Sequence, residues 1–111
     1  MIVSFDGEAM RSISLEQTVA GRILGEAVAV RFHALLAEME AAETAGDLLS
    51  LYGAAASAHE NDSLLVSFGP ESSARFRIVS ERGAFDAEGR PVWSEVRRLK
   101  LTGVEVDGHA I

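Results

Sequence analysis

Arg77 carries the side chain best suited to chemistry. A planar guanidinium fork can hold two oxygens of a phosphate at once. His109 offers an imidazole, a group whose ordinary pKa near neutrality lets it serve as acid or base. Asp107, two residues earlier, could orient that imidazole. Arg75, Arg97 and Arg98 would add cationic contacts to a polyanionic substrate. Each of these residues also has a plainer role. Arg77 could be a strand arginine on an open sheet face, paired with a carboxylate. His109 lies two positions from the last residue, where chains fray. Asp107 precedes Gly108, and Asp-Gly is a turn dipeptide. Trp93 could stack on a base or anchor its loop. His59 reads as a loop or core-edge residue. Gly69-Pro70 and Gly89 mark turns, with no phosphate-cradling motif around them.

The charge balance bounds what such residues can bind. The chain of 111 residues carries a formal charge of −7. Residues 1–74 hold three arginines and eleven acids, or −8. Residues 75–111 hold six arginines, one lysine and six acids, or +1. A basic footprint for nucleic acid can therefore come only from the last third, through Arg75, Arg77, Arg82, Arg90, Arg97, Arg98 and Lys100. The alternative is that these are solvated strand residues balanced by nearby acids. There is no cysteine, which removes disulfides, thiolate metal sites and thiol nucleophiles. His33, His59 and His109 lack ligand-like spacing, so no metal is expected; no cofactor is implied either. Acid appears at Asp6, too early for a signal peptide. The apolar stretches are broken by Arg, His or Glu, so no membrane span is expected. A cytoplasmic protein is the default expectation.

The elements that must position these residues follow from periodicity. At 111 residues a single domain with one core is expected. Residues 2–5 read as a short strand ended by Asp6-Gly7. Ser14 and Gln17 fit a capping box for a helix over 15–24, with Gly25 as a break. A second helix is predicted over 26–44, where Val28, Phe32, Leu35, Met39 and Ala42 share one face. Ala27, Ala29, Val30, Ala34 and Ala37 leave the rest of its surface unusually apolar. That surface either touches a second layer or partner chain, or uses alanine as helix filler. Gly46 is a candidate left-handed cap. Residues 47–52 suggest one helical turn and 54–62 a loop. Strands are predicted over 63–68 and 74–80, joined by a turn at 69–73. Strict alternation places Phe76, Ile78 and Ser80 on one face and Arg75, Arg77 and Val79 on the other. Residues 83–91 read as a long loop. Residues 92–106 read as a strand region that needs a bulge near Arg97-Arg98 or Gly103, because its apolar positions change parity. The expected fold is α+β in the order β-α-α-β-β-β. Two N-terminal helices would pack on one face of a mainly antiparallel sheet of four to five strands.

This order and several local features resemble the RelE/ParE toxin superfamily of bacterial type II toxin–antitoxin modules, closest to its HigB-like killer branch. Glu38-Met39-Glu40-Ala41-Ala42-Glu43 and Ala45-Gly46-Asp47-Leu48 resemble the exit of the branch's second helix. His59-Glu60 resembles the His-Glu that opens its first meander strand. Phe76-Arg77-Ile78 resembles its central strand. Gly89-Arg90-Pro91-Val92-Trp93-Ser94 and Val104-Glu105-Val106-Asp107-Gly108-His109 resemble its loop tryptophan, last strand and C-terminal Asp-Tyr-His. The likeness covers nearly the whole chain and rests on order and spacing. It implies a metal-independent endoribonuclease that binds mRNA at the ribosome, with Arg77, Asp107 and His109 as the matching catalytic positions and an antitoxin protein as partner. A 2′-hydroxyl attacks the adjacent phosphate while the protein moves protons and stabilises the developing charge. ParE relatives poison DNA gyrase instead. The sequence departs from the pattern in three places. Residues 25–43 hold one arginine and four glutamates, His59-Glu60-Asn61-Asp62 lacks a basic loop, and Gly108 replaces the tyrosine. These departures motivate an alternative: a catalytically inert toxin-fold protein that forms a homodimer or docks a partner helix.

Overall fold

A computed structural model describes residues 1–60, 62–79 and 83–111. The fold is α+β. Strand β1 (Ile2–Phe5) leads into four helices, α1 (Gly7–Leu15), α2 (Gln17–Leu24), α3 (Glu26–Ala41) and α4 (Ala45–Tyr52). Strands β2 (Ala56–His59), β3 (Ser63–Gly69), β4 (Ser72–Ile78), β5 (Arg98–Val106) and β6 (His109–Ala110) follow. The sheet order is β1-β5-β4-β3-β2, and β6 also pairs with β5.

Several expectations change here. Among the described residues four helices replace the expected two, and the sheet is mixed, because β1 runs parallel to β5. A strand at the start of the chain can reach the last strand only by crossing over through the intervening helices. The Ser14–Gln17 capping box does not form. Ser14 lies inside α1, and the break falls two residues later at Glu16, whose backbone is extended (φ −116°, ψ 107°). The earlier helix starts after Asp6 because Met10 and Ile13 are both buried, three residues apart on one side. Helix α3 ends at Ala41, short of residue 44. Gly46 is not a left-handed cap but lies in the first turn of α4. There it lets the backbone of the 3-10 turn Trp93–Glu95 approach, since a Cβ at Gly46 would sit 3.2 Å from both Cα and N of Ser94. Thr44 caps α4 instead, its Oγ1 accepting from Asp47 N at 3.2 Å. The supposed loop 54–62 contains β2, and the last long strand begins at Arg98, not at residue 92.

Other expectations hold. Gly25 is the joint between α2 and α3, with φ 89° and ψ 148°, a conformation costly for any residue with a Cβ. The parity change in β5 is absorbed beside Gly103. Arg75 pairs with Gly103 and Phe76 with Leu101, leaving Thr102 as the extra residue. Its Oγ1 donates to Arg75 O at 3.2 Å, which fixes the bulge.

The core forms between the helices and one sheet face. Phe32, Leu35 and Met39 of α3 are buried with Leu64 and Val66 of β3, Phe76 of β4, and Leu99 and Leu101 of β5. The rings of Phe32 and Phe68 lie 5.6 Å apart at 50°, a favourable tilted contact. His33 binds the carbonyl of Ile13 with Nε2 at 2.8 Å. A carbonyl only accepts, so Nε2 carries the proton, and an otherwise open carbonyl at the end of α1 is satisfied.

Tyr52 closes α4 and is the chain's single tyrosine. Burial, and then a hydrogen bond to the Glu38 carboxylate and its charge, push the phenol from 10.0 up to about 12. The neutral phenol is therefore favoured by folding. Its contribution is complete below pH 10 and is lost as pH rises through 12. Absorbance at 295 nm should show a native step near 12 and a urea-unfolded step near 10. Glu38→Gln should move the native step down. Native and unfolded steps that coincide would refute this coupling.

Candidate functional site

The second sheet face is open. Along β4, Ser72, Ala74, Phe76 and Ile78 are buried, whereas Arg75 and Arg77 are exposed. Ser80 and Arg82 lie outside the described residues, as does Asn61.

Strand register builds a transverse row on that side of the sheet, in which Arg77 is exposed, His59 and Lys100 are half-buried and Ser63 is buried. His59 of β2 is opposite Ser63 of β3. Ser63 is opposite Arg77 of β4, Arg77 is opposite Lys100 of β5, and Lys100 is opposite Ser4 of β1. Each strand contributes one side chain able to donate a hydrogen bond. At about 4.8 Å between strands, the row is about 19 Å long. Arg75 lies two residues from Arg77 on the same face, across from Leu65 and Gly103. A shallow depression of about 90 Å³ opens there, bounded by Leu65, Arg75 and Glu105. Arg98 shares the face with Lys100, two residues away, and pairs with Ile2. Arg97 precedes the strand, and its carbonyl accepts from Ile2 N at 3.0 Å. Both Arg97 and Arg98 already have interaction partners.

The electrostatics of the row run in one direction. At its β2 end, His59 Nε2 lies 3.8 Å from Glu60 Oε1, and Ser63 donates to Asp62 Oδ1 at 3.1 Å. At its centre Arg77 and Lys100 stand side by side, and among the described residues no carboxylate pairs with either. Like charges directly opposite on neighbouring strands destabilise a sheet. Such a pair without a counterion is the arrangement an anion would relieve. Among the described residues, no group of three His, Asp or Glu side chains could hold a metal ion.

Asp107 and His109 are elsewhere. His109 pairs with Val106, six positions along β5 from Lys100, which is about 20 Å. Val106 also pairs with Ser72, so by register His109 belongs to the helix-side face, opposite Arg77. Asp107 and Gly108 have φ of 52° and 78°, the two positive values of a tight hairpin turn between β5 and β6. Asp107 N also donates to Glu71 O at 2.8 Å, which ties this turn to the β3–β4 turn. Asp107 thus has the turn role that Asp-Gly suggested. The geometry joins Arg77 to Arg75 and Lys100, and leaves Asp107 and His109 apart from them.

By residue type alone His59 reads as a loop or core-edge residue and Lys100 as one of several basic residues; strand register places both in the row with Arg77. Strand β2 ends at His59 and β3 begins at Ser63, and that short spacing was the available signal for His59. For Lys100 none existed, because its place beside Arg77 depends on the bulge at Thr102. Among the described residues no helix is long and apolar enough to cross a membrane. No protein-family model, curated protein or solved structure matches this chain.

Proposed function

We propose that this chain is a toxin-like component of a type II toxin–antitoxin module, a HigB-like member of the RelE/ParE superfamily. It acts on RNA through the open sheet face, as a metal-independent endoribonuclease at the ribosome, and is held in check by an antitoxin. The observation that carries the reading is the Arg77–Lys100 pair, an exposed and a half-buried cation opposite each other on the open face of an acidic protein, with no carboxylate pairing either among the described residues. They grip the phosphate and balance the charge that develops when the 2′-oxygen attacks phosphorus and the 5′-oxygen leaves. Proton transfer falls to an imidazole. His59 shares the row with Arg77, two strands or about 10 Å away; His109 is about twice as far.

A second reading draws on the separation of Asp107 and His109 from Arg77. Here the chain keeps the toxin scaffold and the anion-binding face but performs no cleavage.

Expression in a bacterial host should arrest growth, and Arg77→Ala with Lys100→Ala should relieve the arrest. End-labelled single-stranded RNA, alone and on ribosomes, should yield fragments with a cyclic phosphate and a 5′-hydroxyl. His59→Gln should lower that rate by about 10²-fold or more, and His109→Gln should change it little. Binding without cleavage would select the second reading. Harmless expression with neither binding nor cleavage would remove both.

A further inference from the structure

The outward side of α2 and α3 is a second unpartnered surface, remote in kind from the cationic sheet face. The two helices meet at Gly25 and leave a cleft of about 630 Å³, walled by Gly21 and Arg22 on one side and Glu26, Ala29, Val30 and His33 on the other. His33 is fixed by its bond to Ile13 O, so that wall is preformed. At the α3 wall of the cleft, Val30 is 65% exposed. Ala27, Ala34 and Ala37 are exposed on the same side of α3 as Val30. Helix α3 therefore has apolar surface on two sides, and the sheet covers only one.

We infer that this face binds a second copy of the chain in a two-fold dimer. The charges argue for that occupant. Arg22 and Glu26 line opposite walls of one cleft, and among the described residues neither forms an ion pair. A patch with one unpaired cation and one unpaired anion is neutral in itself and complementary to its own image. A two-fold axis near Val30 lets Arg22 of each copy face Glu26 of the other, giving two pairs around an apolar centre. The remaining acids of the first 74 residues would repel a second −7 chain on most other approaches. A stable interface needs about 800 Å² from each partner, about an eighth of the 6276 Å² that the chain exposes.

Sedimentation velocity from micromolar to millimolar concentration tests this on the full chain. A dimer is expected, and Val30→Glu should dissociate it. Arg22→Glu and Glu26→Arg should each weaken it by about tenfold, and the double reversal should restore it to near the original. Because Arg22 ends α2 and Glu26 begins α3, each reversal also opposes a helix dipole, so circular dichroism must show each variant folded. Retained RNA binding in Val30→Glu would separate this proposal from the reading of the sheet face. A monomer at every concentration overturns the inference. So does a dimer that Val30→Glu and the single reversals leave intact.

Discussion

Phe32→Ala should destabilise the protein by about 3–5 kcal/mol, the largest loss expected from a single truncation. Phe32 is fully buried on α3 and meets Phe68 across the helix–sheet interface. Truncation removes the transfer energy of the ring and leaves a cavity that the packed strands beneath cannot close. Ala37→Ser, on the exposed side of the same helix, should stay within about 0.5 kcal/mol. Urea denaturation at micromolar concentration reads both. Equal effects from the two variants would show that α3 does not rest on the sheet through Phe32.

Lys100→Glu should have the largest effect on anion binding, with an opposite effect on stability. Lys100 stands directly across from Arg77. A carboxylate there replaces cross-strand repulsion with an ion pair, a gain of about 0.2–1 kcal/mol. It also removes one cation from the row and neutralises a second. Affinity for single-stranded RNA should fall about 10- to 100-fold. The slope of log K against log salt should flatten by about 1.4, or 0.7 for each of two lost phosphate contacts. Thermal denaturation and fluorescence anisotropy across a salt series measure the two effects. Stability that falls along with affinity would mean that Arg77 and Lys100 are tolerated structurally and are not held apart for a ligand. Unchanged affinity would place the anion site elsewhere.

The two effects have a common origin. A solvated sheet face can be neutral, and pairing arginine with glutamate is the cheap way to make it so. Here Glu105, the acid of β5 on the same face, pairs with Ser73 toward the far end, while among the described residues Arg77 and Lys100 are left to each other. Self-repulsion at one spot on a chain of charge −7 has a function if something anionic visits that spot.

Features that depend on local periodicity were legible in the order of residues. The spacing of Phe32, Leu35 and Met39 required a helix with one buried side. The alternation through Phe76 and Ile78 put Arg75 and Arg77 on the open face. The parity change in residues 96–104 required the bulge that occurs at Thr102. Asp107-Gly108 announced its turn. Tertiary structure alone decided which side chains meet. Strand neighbours and register depend on which edges remain free once the core has closed, and that is not written in any short window. So β1 found β5 in parallel, Lys100 came to lie beside Arg77, His59 joined their row, and His109 was carried to the other face at the far end. The helix boundaries followed the same rule: burial of Met10 and Ile13 outweighed the capping signal at Ser14, because a closed core is worth more than one terminal hydrogen bond.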